Sequence, residues 1–352
     1  MRHLRLFSVL GCFCASLCLG QSATPTTPEP ALTPQWVAQT VTSLQALIKE
    51  NYYNEALIPT LHDTLQRNLE QGAYSHAKTL ADLAQRLTDT IYGITHDKHF
   101  SVIVTKAPKA DLENVFLDRK EEARVTNFGI PDAEVLEGNV GYLKITGFLH
   151  PEEGESAALK AAMGFLSHTD AMILDMRGNS GGSPSMAVEL ISYFFNKPDM
   201  PLFTVVRRAA PPVSYSTLGD GFAGRNERRP LYVLVSSTSG SGGEGVPYVL
   251  QQMHRAVIIG EKTWGGANPS GWWPVNSSLT AIIPFGQVRV EPHGTNWEGV
   301  GVLPDIQVPA DEALKTAYAL ALRNLIATTT DPAEKQMRER ILNRSAQVLN
   351  HR

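Results

Sequence analysis

The 352-residue sequence has very little cysteine, no excess of positive charge and no long apolar run beyond Gly20. Its only cysteines are Cys12, Cys14 and Cys18, so the rest of the chain has no disulfide, thiol nucleophile or cysteine-based metal site. The 31 Lys and Arg against 35 Asp and Glu disfavour nucleic acid as a partner. Without a later run of about 18 apolar residues, we expect no stable membrane insertion once the N-terminal segment is removed.

The segment Met1–Gly20 has the pattern of a secretory signal peptide. Arg2 and Arg5 supply the positive charge, and a run of about 14 mostly apolar residues follows. We predict cleavage after Gly20 or Ala23 and therefore a secreted or periplasmic protein, which would lose all three cysteines. The alternatives are a membrane anchor, for which the run is short, and lipoprotein cleavage before Cys12.

The composition and the spacing of apolar residues divide the remaining sequence into four segments. Residues 21–34 are rich in Pro and Thr and predict an extended leader. In residues 35–115, leucines recur every three or four positions, which predicts a small bundle of about three helices. Residues 116–325 alternate buried strands with helices, which is typical of an α/β core. Residues 326–352 predict a charged C-terminal helix.

Three stretches combine glycine with functional side chains. Residues 175–182 and 236–244 each join a buried strand to a helix, and residues 294–305 form a loop with Glu298 between glycines. Glycine turns can leave backbone N–H groups free to hold an oxyanion, and a helix N-terminus stabilises negative charge on a serine. The structural alternatives are a tight turn, a helix cap and a surface loop.

The serine and its base are ambiguous from the residues alone. Residues 178–182 match Gly-x-Ser-x-Gly, the nucleophile turn of α/β-hydrolases, which makes an esterase using Ser180 one alternative. A serine nucleophile needs a base such as neutral histidine. Nine of the ten histidines lie beyond Gly20, and their spacing does not choose among them. His96 and His99 end the helical region, and a metal-binding pair there is a further alternative.

Four segments in this order resemble the tail-specific (C-terminal processing) serine protease superfamily. The resemblance is to its branch without a PDZ domain, similar to interphotoreceptor retinoid-binding protein modules and the tricorn protease core. It implies an α/β core of the ClpP/crotonase-like kind after the helical bundle, a polypeptide substrate, and neither cofactor nor metal. The segments are Asp97–Val102, Leu174–Gly182, Ser241–Glu244 and Asn296–Ile306, and Gly260–Gly266 also fits.

The resemblance implies a role for each matching residue. Ser241 is the nucleophile, His99 the base and Glu298 the carboxylate that orients the site, with His96 as the reserve base. Bacterial tail-specific proteases carry a lysine base where this chain has Gly266, so a Ser–Lys dyad is excluded.

The resemblance also implies the residues around these three. The oxyanion donors are the backbone N–H groups of Gly181 or Gly182 and of Gly242. The supporting residues are Glu244, Asp175 and Arg177.

Two further expectations concern specificity and function. The stretch between Val104 and Tyr142 is too short for a PDZ domain, so the usual means of gripping a C-terminal tail is missing. The leading hypothesis is a secreted serine-type peptidase. The alternatives are the Ser180 esterase and a non-catalytic module that binds a retinoid or fatty acid, with the aromatic residues 269–274 lining its pocket.

Overall fold

The computed structural model describes residues 30–105, 123–149, 154–208, 210–219, 222 and 224–348. The predicted signal peptide at 1–20 and most of the predicted leader at 21–34 lie outside the described residues. The predicted boundary between residues 115 and 116 also lies outside them, and the domain limits stay predictions. Within the described ranges, no helix has both the length and the apolar character to cross a bilayer.

The predicted N-terminal helices are present as α1 (Pro34–Asn51), α2 (Ile58–Glu70) and α3 (Leu80–Thr95). The side chains of Thr33 and Thr79 accept N–H groups from the first turns of α1 and α3, which explains where these helices begin. The leucines with helical spacing are buried between the helices.

The segment after α3 joins a sheet whose other strands come from the distant C-terminal half. Strand β1 (Ser101–Val104) pairs antiparallel with β10 (Leu279–Pro284), which pairs antiparallel with β9 (Ser270–Pro274). The inner face of this sheet packs on the three helices. The pairing anchors the chain around His99 to a strand of the C-terminal half.

The α/β core is built on a six-stranded sheet with the order β12-β8-β7-β4-β3-β2. All neighbouring strands are parallel except the edge pair β2–β3. The strands are β2 (Asp132–Leu136), β3 (Val140–Lys144), β4 (Ala171–Asp175), β7 (Leu231–Val235), β8 (Val257–Gly260) and β12 (Ile306–Gln307).

Helices cover both faces of this sheet, because alternate residues of its buried strands point to opposite sides. One face, with Leu174 and Val233, packs on α4 (Glu155–Phe165), α5 (Pro184–Ser192) and α6 (Gly242–Gln252). The other face, with Ile173 and Leu234, packs on α7 (Ala313–Thr328) and α8 (Pro332–Val348). The α/β architecture with N-terminal helices agrees with the prediction.

A third sheet has the order β11-β5-β6, with β11 (Gly286–Val290), β5 (Pro201–Arg207) and β6 (Val213–Ser216). It shares the apolar cluster that contains α5 and α6.

The topology brings two of the predicted turns together. Strands β4 and β7 are parallel neighbours, with Asp175 opposite Leu234. Their carboxyl ends therefore meet at one edge of the sheet, and the turns that follow them lie side by side there.

Candidate active site

Ser241 lies between β7 and α6, at the N-terminus of the helix. Its backbone has φ 53° and ψ −126°, a conformation that non-glycine residues rarely adopt. Such strain persists only where the surroundings fix it, and it is concentrated at functional sites. The turn exposes Ser241 to the positive end of the α6 dipole, where developing negative charge is stabilised.

Glu244 ties this turn to the segment that follows β8. Its carboxylate is fully buried and accepts the amides of Ser241 (2.9 Å), Gly265 (2.6 Å) and Gly266 (3.0 Å) and the Thr263 hydroxyl (2.5 Å). Burial raises the pKa of Glu244, while these four donors act in the opposite direction. The predicted supporting residue thus connects the nucleophile turn to residues 263–266.

The turn after β4 packs directly against Ser241. A β-carbon on Gly181 would stand 2.5 Å from the Gly242 nitrogen and 2.8 Å from Cβ of Ser241, so only glycine fits there. The Gly181 amide donates to Oδ1 of Asn179 at 2.8 Å and is not free to bind a ligand. The amides of Gly182 and Gly242 have no acceptor within the described part of the chain. They are the two donors that can meet an oxyanion.

The two turns differ in how they present their serines. Ser180 is exposed in the middle of the turn after β4, and α5 begins only at Pro184. The sequence of strand, serine and helix N-terminus that activates a nucleophile is found at Ser241.

His99 lies three residues after His96, the residue in left-handed conformation that ends α3. Its backbone N–H donates to Oδ1 of Asp97 at 3.0 Å, and its ring meets the Trp264 indole edge-on, with 5.1 Å between centroids. Its Nδ1 atom is buried and lacks a hydrogen-bond partner among the described residues. Burial lowers the pKa of His99, and the charge of Glu298 partly offsets this. The lowered pKa favours the neutral imidazole, which is the form that a general base requires.

Glu298 is held by backbone amides beside this histidine. Its carboxylate accepts N–H groups from Ala267 (2.6 Å), Asn268 (3.0 Å) and Lys98 (3.3 Å). One ligand atom each of Glu298, His99 and Asp97 lies within 4.8 Å of the others. The structure thus brings His99 and Glu298 together.

By distance alone, these three side chains could also hold a metal ion. The N–H groups that already point at both carboxylates disfavour a cation there.

Asp97 is the member of this cluster that sequence reasoning missed. It is 2% exposed, and its Oδ2 accepts a hydrogen bond from the Asn268 side chain at 2.8 Å. Burial, followed by the charge of Glu298, raises the pKa of Asp97 to about 7. The available signal was an aspartate two residues before a histidine, which is the spacing of a side-chain-to-backbone turn.

Trp264 lies between the histidine and the nucleophile turn. Its ring lies 3.4 Å from the position of a β-carbon on Gly240, next to Ser241, and also contacts His99. No hydrogen bond joins His99 to Ser241 within the described residues. Hydrogen bonds between catalytic residues are often long before substrate binds, so the lack of a bond between His99 and Ser241 is compatible with catalysis.

Other predicted residues lie outside this centre. The exposed His96 packs edge-on against Tyr92, with 5.9 Å between ring centroids. Asp175 is fully buried and forms a two-bond ion pair with Arg177, while the Tyr142 hydroxyl donates to it at 2.8 Å. Arg177 also donates to the carbonyl of Ala310. This pair braces the start of the turn after β4 and does not contact the cluster at His99.

Comparison with known proteins shows that the chain is similar to peptidases. The profile of Peptidase family S41 matches residues 139–308, and that of the N-terminal domain of Peptidase_S41 in eukaryotic IRBP matches residues 33–141. The carboxy-terminal-processing protease of Bartonella bacilliformis is 29% identical over 187 residues. That match covers 49% of this chain and only 39% of the relative.

Solved structures share the fold at low sequence identity. Mature CPAF in complex with lactacystin superposes with a TM-score of 0.53 at 14% identity, covering 89% of this chain and 100% of that one. The tricorn protease superposes with a TM-score of 0.51 at 13% identity, covering 89% of this chain and 37% of that one. With both profiles matched in order along residues 33–308, the chain belongs to peptidase family S41.

Proposed function

We propose that the protein is a serine peptidase in which Ser241 is the nucleophile, His99 the general base and Glu298 the orienting carboxylate. The observation that carries the proposal is the position of Ser241, strained at the N-terminus of α6 beside the uncommitted amides of Gly182 and Gly242. Membership of family S41 supports the same activity.

The geometry supports a two-step acyl transfer. Oγ of Ser241 attacks the peptide carbonyl while His99 takes its proton, and the amides of Gly182 and Gly242 stabilise the oxyanion. His99 then gives the proton to the leaving amine, which leaves an acyl-enzyme. Water attacks that ester with His99 again as base, and Ser241 recovers its proton. Glu298 stabilises the imidazolium that forms in each step.

The substrate is a polypeptide, without selection for a C-terminal tail by a PDZ domain. One cavity of about 360 Å³ lies beside Arg177 and is lined by Asp132, Glu134, Lys144 and Lys315, among others. Its charged lining does not suit a retinoid or fatty acid, and it does not include residues 269–274, the lining expected for a hydrophobic-ligand module.

The protein acts outside the cytoplasm after removal of its N-terminal segment. Arg2 and Arg5 ahead of an apolar run support this export. Mass spectrometry of the secreted protein should find an N-terminus after Gly20 or Ala23. An acylated N-terminal Cys12 would instead indicate a lipoprotein.

The test of the chemistry is labelling with a fluorophosphonate probe, which reacts with activated serines. We expect the wild-type protein and Ser180→Ala to be labelled, and Ser241→Ala to be unlabelled. Loss of labelling in Ser180→Ala alone would establish the esterase mechanism instead. Absence of labelling in the wild-type protein would contradict the peptidase proposal.

A further inference from the structure

The open edge of β9 is a polar surface that the chemistry above does not use. β9 is the terminal strand of the sheet β1-β10-β9, and no strand of the described residues pairs with its outer edge. An unpaired strand edge presents N–H and C=O groups that can bind a second extended chain.

The pairing with β10 determines which groups of β9 point outward. The carbonyl of Pro269 accepts an N–H from the β10 side, and the amide of Val275 donates to that side. In an antiparallel ladder, hydrogen-bonded and non-hydrogen-bonded residues alternate along each strand. The backbone N–H and C=O groups of the odd-numbered residues of β9 therefore point toward β10. Ser270 and Trp272 therefore direct both their N–H and C=O groups to the open edge.

This edge begins beside the candidate catalytic groups. Strand β1 starts two residues after His99, and its first residue, Ser101, shares a row across the sheet with Trp272. Since neighbouring strands are about 4.8 Å apart, the two residues lie roughly 10 Å apart along that row. At its N-terminal end, β9 begins two residues after Asn268, whose backbone N–H donates to the Glu298 carboxylate.

We propose that the outer edge of β9 binds an extended stretch of the polypeptide substrate as an added strand. The inference rests on the proposed peptidase function and names how that site holds its substrate. The N–H and C=O groups of Ser270 and Trp272 pair with about three substrate residues, independently of their side chains. The Trp272 side chain, 66% exposed on the outer face of the sheet, contacts a substrate side chain and favours an apolar one.

The variant that tests this is Ser270→Pro, with Ser270→Ala as its matched control. Proline removes the outward N–H and is tolerated at strand edges, whereas alanine removes only the side-chain hydroxyl. The readout is kcat/KM for β-casein divided by the rate of fluorophosphonate labelling. For the loss of one hydrogen bond, we expect this ratio to be about five- to tenfold lower for the proline variant than for the alanine variant. Equal ratios would overturn the proposal.

A binding assay separates this proposal from the catalytic one. Immobilised peptides that tile β-casein are probed with Ser241→Ala protein carrying either Ser270→Pro or Ser270→Ala. We expect capture by the alanine form and its loss in the proline form, and N-methylation of a captured peptide should weaken binding at alternate residues. No capture by either form, or equal capture by both, would refute the edge proposal even if Ser241 is labelled. If the wild-type protein is unlabelled, the catalytic proposal fails and this assay still decides the role of β9.

Discussion

The Cε1 atom of His99 lies 2.7 Å from the point where a β-carbon on Gly266 would stand. The Trp264 ring lies closer still to the same point. Position 266 is where the bacterial tail-specific proteases are expected to carry their lysine base. In this chain, the His99 imidazole and the Trp264 indole occupy the space that such a side chain would need, so a lysine at position 266 is sterically incompatible with this arrangement.

Gly266→Ala should displace His99 and lower kcat for peptide hydrolysis by about 100-fold, because a shift of about 1 Å in a catalytic group costs that much. Gly266→Lys should be at least as impaired. The matched control is Gly93→Ala in α3, where an added β-carbon meets nothing within 4 Å. Restored activity in Gly266→Lys would contradict the steric argument.

His99→Ala should lower turnover of a peptide substrate by about 10³-fold or more, as removal of a triad base does. Adding Ser241→Ala should cost little further activity, because the two residues act as one unit. Steady-state kinetics of His99→Ala, Ser241→Ala and the double variant test this. His96→Ala should stay near the wild-type rate, and a large loss there would make His96 the base.

Asp97→Asn should change how stability depends on pH. The unfolded carboxyl loses its proton near its usual pKa of about 4, whereas the folded one keeps it until about 7. Folding therefore opposes ionisation of Asp97, and wild-type stability falls as pH rises between these values and then levels off. The stability of Asp97→Asn relative to wild type should rise over the same interval. Urea unfolding at pH 4.5, 6 and 8 measures it, and a difference that does not vary with pH would be inconsistent with a raised pKa.

Glu244→Ala should lower the free energy of unfolding by roughly 3–5 kcal/mol, because it leaves four buried donors without their acceptor. It should also abolish fluorophosphonate labelling, since the Ser241 turn loses its anchor. Glu50→Ala, on the exposed end of α1, is the control and should stay within about 0.5 kcal/mol of wild type. Denaturant unfolding followed by labelling gives both readouts, and a stable, labelled Glu244→Ala would rule out the anchoring role.

Local patterns in the sequence were sufficient to predict the parts of the fold that depend on near neighbours. The spacing of Leu83, Leu87 and Ile91 predicts α3, and the apolar run at residues 231–235 predicts β7. By contrast, the residues of β5 favour a strand, but no local pattern predicts its pairing with β11, which lies much later in the chain.

The candidate site also combines residues with a local sequence signal and residues that only long-range contacts bring together. Ser241 carries a local signal, a serine between a buried strand and a helix, whereas no spacing rule selects His99 from nine candidates. His99 meets Glu298 through contacts between distant parts of the chain, including the pairing of β1 with β10, and Asp97 and Trp264 join them through further long-range contacts. The resemblance to a family implied the pair His99 and Glu298, but only the fold explains why the two residues meet.

The pairing of β1 with β10 also bears on when activity can appear. The proposed base enters the site on a strand whose partner is synthesised much later, and contacts between such distant parts of a chain form slowly because loop closure opposes them. A chain that has folded its central sheet but not this pairing has its nucleophile in place and no base beside it. The proposed nucleophile and base would therefore come together only once the pairing of β1 with β10 has formed.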